Sequence, residues 1–407
     1  MEQHKRAIQD FTRKRKLTFE NTILVILRKS VRSLQCLLNE TIGTLPSAAA
    51  FTNARKKLKH TAFIELNQRA VIDTMYHDAY KTLHGLRILA VDGSKIILPD
   101  TAQTRAIFGV TRVKNPQYEG TYTCALASVL YDVLNGVALD AQLVPSSIAE
   151  GTLAWSHMHA VQKNDLITFD RGYCAYQTID MVAHHKADFL IRCHARSFKI
   201  VDTMLTGTGH DDVTMTIHAP TYMKQGHRRA PHKAHHTVRF VRVLLPTGEY
   251  EILATSLINT KRYPLEIFST LYFRRWGIET LYAKLKNRLS LEHFSGLSPE
   301  SILQDFHATI FLTGLESLLT EDADTLLNKK KTQHPQQVNT AIAFHAIKHR
   351  AFDLFMSDIP IDAVVTELSE LFLKTPTLVR KEKNPPRVIR SARRVLNFWK
   401  RVRRSVF

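Results

Sequence analysis

The first fifth of the chain carries apolar residues at helical spacing. One such run opens at Thr18, a residue type that caps helix N-termini, and a second run begins at Ser47. A short break, Gly43–Pro46, separates the two runs, and the second becomes basic towards its end. We predict a helical domain over residues 1–85, built either as a helix-turn-helix or as an ordinary helical bundle.

From residue 86 the pattern changes to short apolar runs typical of strands. The first run ends at Asp92, where we expect a turn, and two alternating runs then flank Asn135-Gly136, a strong hairpin signal. Helical and strand patterns follow in alternation, and one short strand ends at Asp170. The order over residues 86–195 is strand, hairpin, helix, strand, helix, strand. This order is that of a ribonuclease H-like domain.

Residues 196–262 contain alternating, β-prone runs and a Pro-Thr-Gly-Glu turn, so we predict a β-rich insertion that interrupts the core. The core resumes over 263–320, and 321–407 form a helical C-terminal region with a basic tail. The predicted fold class is therefore α/β, with a ribonuclease H-like core, an inserted β-rich segment and helical regions at both ends.

Charge is distributed unevenly along this pattern. The 407 residues carry a net charge of +19. Residues 1–60 hold 13 Lys/Arg against 4 Asp/Glu, and residues 375–407 hold 11 Lys/Arg against 1 Glu. The segment between them therefore has no net charge. A neutral body with two basic ends indicates a polyanionic partner, and we expect the N-terminal domain to bind DNA. The tail is either a phosphate-binding arm or a disordered solubilising segment.

Other features exclude some classes of protein. The longest apolar runs are too short to span a membrane, and the N-terminus lacks the apolar core of a signal peptide. The four cysteines are scattered and form no C-x-x-C pair, which favours reduced thiols in a cytoplasmic protein. Five histidines crowd residues 218–236, where a basic loop is favoured over a zinc site.

The stretch 272–286 carries the most informative spacing. Tyr272, Arg275, Glu279 and Lys286 stand at offsets of 0, 3, 7 and 14, which on an ideal α-helix places them within a sector of roughly 60°. A carboxylate flanked by two cations and a phenol suits a metal-bound phosphate. The alternative is a solvated charged face.

Two upstream acids favour the phosphate interpretation. In a ribonuclease H-like sheet the first and fourth strands are neighbours, so Asp92 and Asp170 would meet and Glu279 would lie across them. Three adjacent carboxylates repel one another unless cations bind, and Mg²⁺ or Mn²⁺ is the natural occupant. Two such ions would support phosphodiester chemistry.

These motifs resemble the DDE transposases of bacterial insertion sequences, in the insertion-sequence-four family. The resemblance rests on Asp92-Gly-Ser, on Asp170-Arg-Gly-Tyr, and on a Y-x2-R-x3-E-x6-K motif that begins at Tyr272. The 108 residues between Asp170 and Glu279 are similar in size to the family's β-rich insertion. Similarity at residues 11–19 and 292–309 extends the resemblance to this family over nearly the whole chain.

The resemblance implies roles for these residues. Asp92, Asp170 and Glu279 would bind two divalent ions, whereas Tyr272, Arg275 and Lys286 would contact phosphates near the cleaved end. The family cuts transposon ends, often through a hairpin intermediate, and joins them to target DNA within a dimer. It therefore implies a bacterial, nucleoid-associated enzyme that binds double-stranded DNA at both donor ends and target.

Three more residues are candidates for DNA contact. Lys284 and Arg288 follow Glu279 on the same helical stretch. Tyr250, in the insertion, would either stack on a flipped base or pack against its own sheet.

Two rival functions stay open. The first is a nuclease of the same fold without strand transfer. The second is a DNA-binding relic of a transposase, against which the three intact carboxylates argue.

Overall fold

The structure is a computed structural model that describes residues 2–13, 15–29, 33–42, 46–112, 120–207, 209–221, 230–244 and 248–379. The basic tail beyond residue 379 and part of the histidine-rich loop, including His227, lie outside the described residues.

The helices begin and end as follows: α1 Phe19–Leu27, α2 Leu34–Ile42, α3 Ala48–Arg55, α4 Thr61–Leu66, α5 Asp73–Met75, α6 Ala102–Phe108, α7 Glu150–Ser156, α8 Tyr176–His184, α9 Lys199–Leu205, α10 Ile267–Phe273, α11 Gly277–Ala283, α12 Pro299–Lys329, α13 Thr340–Phe355 and α14 Ile361–Lys374. The strands are β1 Arg87–Ile97, β2 Thr111–Arg112, β3 Thr121–Tyr122, β4 Cys124–Asp132, β5 Val137–Pro145, β6 Asp165–Phe169, β7 Asp188–Arg192, β8 Asp212–His218, β9 His235–Leu244, β10 Tyr250–Thr255, β11 Gln336–Gln337 and β12 Thr377–Leu378. No helix among the described residues is long and apolar enough to cross a membrane.

The central sheet has eight strands in the order β5-β4-β1-β6-β7-β10-β9-β8. Strands β5, β4 and β1 are antiparallel neighbours, whereas β1, β6 and β7 run parallel to one another. Strands β4, β6 and β7 are almost wholly buried, as expected for strands covered on both faces. The predicted α/β, ribonuclease H-like core is confirmed, including the neighbouring first and fourth strands.

The β-rich segment continues this sheet. Strand β10 pairs antiparallel with β7, β9 pairs with β10, and β8 pairs with β9. The three strands thus extend the core sheet at its β7 edge, which removes an exposed edge there. The domain boundaries given above stay predictions.

The N-terminal helices pack on the long helix α12. Thr18 caps α1 as predicted, and the structure shows that Ser47 caps α3; each accepts a backbone N–H with its side-chain oxygen. The buried Arg55 guanidinium at the end of α3 lies 2.7 Å from a carboxylate oxygen of Asp305 and 2.6 Å from Gln304 on α12. Part of the basic charge of this region is therefore used to fix it to the core.

Candidate active site

Asp92 lies within β1. The prediction that this strand ends at Asp92 is wrong, because β1 continues to Ile97 by pairing with β4. The parallel pairing between β1 and β6 ends earlier, at the pair Ala90 and Thr168. Asp92 therefore lies two residues beyond that pair, at the carboxyl end of β6, and the carboxyl ends of parallel strands are where α/β sheets bind ligands.

Asp170 follows directly after β6, as predicted. Its carboxylate accepts the backbone N–H of Gly172 at 2.9 Å and caps a single 3₁₀ turn, Arg171–Tyr173. Burial raises the pKa of Asp92 to about 6, Arg275 opposes that rise, and the charges of Asp170 and Glu150 add to it. The first two predicted acids therefore lie close enough to repel each other.

Glu279 lies on an irregular helical stretch. The predicted continuous α-helix is a succession of α10, a 3₁₀ turn at Arg274–Trp276, α11 and a π turn at Lys284–Arg288. The Arg275 guanidinium lies 3.4 Å from a Glu279 oxygen, and it interacts electrostatically with Asp92 and Asp170 as well. Arg275 therefore links all three predicted acids.

The stretch is tied to β1 at two points. The Tyr282 hydroxyl, three residues after Glu279, donates to the Asp92 carbonyl at 2.9 Å. The Lys286 ammonium donates to the Ser94 hydroxyl at 2.7 Å and to the Lys95 carbonyl at 2.8 Å. Lys286 therefore lies beside the Asp92-Gly-Ser motif, at the edge of the site.

Sequence reasoning missed a fourth acid, Glu150, the first residue of α7. A β-carbon built on Gly93 would lie 2.9 Å from the Glu150 carboxyl carbon, so this carboxyl group occupies the space beside Gly93 that a larger side chain would fill. Burial raises the pKa of Glu150, and the charge of Asp170 adds to that shift. An acid in a first helical turn is common, so sequence alone gave no signal.

A second missed residue is Arg192, which ends β7. Its guanidinium lies 2.7 Å from the buried Glu251 carboxylate on β10. Burial raises the pKa of Tyr272. The charges of Arg275 and Arg192 oppose this rise, and the charge of Glu251 adds to it. Because β6 and β7 are parallel neighbours, their carboxyl ends share one edge of the sheet. The sequence signal that could have identified Arg192 was a cation at the end of the strand that follows Asp170.

Two polar atoms in this region are buried without a protein partner. Within the described residues, neither the Tyr272 hydroxyl nor the Arg275 Nε makes a hydrogen bond. A buried donor without a partner costs roughly 1–3 kcal/mol. Both donors lie beside the carboxylates, where an acceptor such as a phosphate oxygen would satisfy them once it reached them.

The other predicted DNA contacts lie elsewhere. Lys284 donates to Glu316 on α12 at 2.9 Å, so its charge is already paired. Arg288 is exposed after the π turn. Tyr250 is 46% exposed at the start of β10, and the Arg242 guanidinium lies 4.3 Å from its ring centroid.

The carboxylates fit hard divalent cations by chemistry. Oxygen-only ligands suit Mg²⁺ and Mn²⁺. Among the described residues, however, no three Asp, Glu, His or Cys side chains lie together closely enough to hold a metal ion. Ion binding would therefore require these side chains to draw together.

Comparison with known proteins decides the family. Residues 83–313, more than half of the chain, match the family described as "Transposase DDE domain". The chain belongs to this family. As a DDE transposase it is a DNA nuclease and transferase that performs transposition by cleavage and strand transfer.

The remaining comparisons are more distant. No curated protein matches this transposase significantly. Among solved structures it is similar to the cryo-EM structure of the piggyBac transposase synaptic complex with hairpin DNA. That similarity has 10% sequence identity and a TM-score of 0.41, and it covers 93% of this chain and 78% of the other.

Proposed function

We propose that this transposase is of the insertion-sequence-four type and that Asp92, Asp170 and Glu279 hold two divalent ions, Mg²⁺ or Mn²⁺. The observation that supports this most directly is the convergence of the three acids on Arg275, although they come from β1, from the end of β6 and from α11. When bound, the ions activate a water or a 3′-hydroxyl and stabilise the leaving oxygen. Glu150 is a fourth candidate ligand.

Phosphate binding falls to a second group of residues. Arg275, Tyr272 and Arg192 offer donors at the edge of the acidic site, and two of those donors are orphaned. The planar Arg275 fork can hold two phosphate oxygens at once. Lys286 both orients the Asp92 strand through Ser94 and places a positive charge near the cleaved end.

The substrate follows from this arrangement. We propose double-stranded transposon ends as donors and a second duplex as target, joined within a homodimer at the bacterial nucleoid in the cytoplasm. A hairpin intermediate is compatible with the exposed Tyr250 ring, which could stack on an unpaired base once Arg242 moves aside.

The test is an in vitro reaction of the purified protein with the gene's own flanking DNA, a plasmid target and Mg²⁺ or Mn²⁺. Glu279→Ala should abolish cutting and joining while leaving DNA binding nearly intact. Glu370→Ala, which removes an exposed carboxylate on α14, is the matched control and should react like wild type.

Each outcome has a distinct meaning. Joined donor–target products from the wild type alone would support the proposal. Clean cutting without joining would instead identify a nuclease, and bound but uncut DNA a binding relic. Equal loss of binding and cutting in Glu279→Ala would make Glu279 a structural residue.

A further inference from the structure

A basic cleft lies outside the acidic site. It is formed by the end of α1, by α2, by the segment after the π turn and by α13, and it has a volume of about 720 Å³. Its basic lining includes Arg28, Lys29, Arg288, His345, Lys348 and His349. One acid, Glu40, also lines it. The described lining thus carries four lysine or arginine side chains against one carboxylate.

The floor of the cleft brings like charges together. The Lys348 ammonium donates to the Lys29 carbonyl at 2.8 Å, and burial together with the Lys29 charge lowers the pKa of Lys348 to about 8. The Lys29 ammonium lies 3.8 Å from Asp305, which Arg55 already binds at 2.7 Å. One buried carboxylate therefore serves several cations, so an added anion would relieve their repulsion.

The cleft is also continuous with the helical stretch that carries Glu279. Arg288 ends this stretch, nine residues after Glu279. At about 100° per residue those nine residues make about two and a half turns, so Arg288 and Glu279 lie on different sides of the stretch. A duplex held at the acidic site would therefore reach the cleft only by passing around this stretch.

We propose that this cleft binds the sugar–phosphate backbone of the donor duplex away from the cut itself. The inference rests on the proposed function in taking DNA as the ligand. Half or more of the hydrogen bonds between proteins and DNA go to phosphate and sugar, with arginine and lysine among the donors, so we assign the cleft a contact that positions the duplex.

The first test measures affinity for the terminal duplex by fluorescence anisotropy across a range of salt concentrations. Arg28→Ala combined with Arg288→Ala should weaken binding about 10-fold or more and reduce the slope of log affinity against log salt by about two. Glu40→Gln should strengthen binding severalfold. Lys163→Ala, which removes an exposed lysine outside the cleft, should change little.

The second test locates the phosphate. Neutral methylphosphonates placed one at a time along the terminal duplex should, at one or more positions, weaken binding of the wild type but not of the double variant. Losses of the same size in both proteins at every position would overturn the proposal. Circular dichroism and thermal melting establish that the double variant is folded.

The outcomes separate this inference from the proposed function. If the wild type binds and cuts the DNA but the double variant keeps both affinity and salt slope, the cleft assignment fails alone. If the wild type neither binds nor cuts, both fail. Inorganic phosphate that binds the wild type but not the double variant, and does not displace DNA at constant ionic strength, would identify a small anion as the ligand and overturn the proposal.

Discussion

Replacing Arg275 with glutamine should separate metal binding from DNA binding. The guanidinium is 6% exposed and lies 3.4 Å from Glu279. A unit charge pair at that distance interacts by about 5 kcal/mol at an effective dielectric constant near 20. Since 37% of the Glu279 side chain is exposed, solvent screening reduces this to about 1–2 kcal/mol. Divalent ions must compete with that charge for the same carboxylates.

Without the charge, the DNA-free protein should bind Mn²⁺ about 5- to 30-fold more tightly. Binding of the transposon end should weaken by about 1.5–3 kcal/mol, because a charged phosphate contact is lost. Electron paramagnetic resonance of free Mn²⁺ measures the first effect, and fluorescence anisotropy of the labelled end measures the second. Arg275→Lys retains the charge without the planar fork, so it should weaken DNA binding while changing Mn²⁺ affinity little.

One result would refute this reasoning. If Arg275→Gln melts like the wild type but binds Mn²⁺ more weakly, then Arg275 orients the carboxylates for the ions and does not compete with them. A loss of folded structure would show instead as a lower melting temperature in both glutamine and lysine variants.

Three further predictions concern the site and its support. Glu150→Gln should weaken Mn²⁺ binding about 10-fold in the same titration, since a charged ligand is removed from beside Asp92; unchanged affinity would exclude Glu150 from the site. Arg55→Met leaves the buried Asp305 carboxylate poorly compensated and should lower the free energy of unfolding in urea by about 3–5 kcal/mol; a loss below about 1 kcal/mol would show that Lys29 suffices. Burial lowers the pKa of His307 to about 3. The unfolded chain therefore binds this proton first, and the unfolding free energy should fall as pH drops from about 6.5 towards 3. The fall should be shallower by about 1–3 kcal/mol in His307→Phe, and equal slopes would contradict the assignment.

Local sequence patterns predicted the elements well. Alternation and turn residues predicted the strands, and Thr18 and Ser47 predicted two helix starts that the structure confirms. The spacing from Tyr272 to Lys286 predicted a shared helical face, because offsets along one helix are a local property. The structure interrupts that helix with a 3₁₀ turn at Arg274–Trp276 and a π turn at Lys284–Arg288.

Pairing between distant strands could not be predicted from local patterns. Strand β1 continues beyond Asp92 because β4 supplies hydrogen-bonding partners as far as Ile97. Likewise β8, β9 and β10 extend the core sheet because β7 offers them an open edge. Which edge accepts a strand depends on the assembled sheet, so alternation alone left the insertion unplaced.

The sequence by itself determined the family motifs, the order of strands and helices, and the three acids Asp92, Asp170 and Glu279. Only the tertiary structure decided which other side chains lie beside them. Glu150 occupies the space next to Gly93, and the parallel pairing of β6 and β7 brings Arg192 to the same edge of the sheet. Lys284 instead pairs with Glu316, away from the site. The physical reason is that charges act through distance in space. Sequence spacing specifies that distance within one helix or strand, whereas packing specifies it between elements.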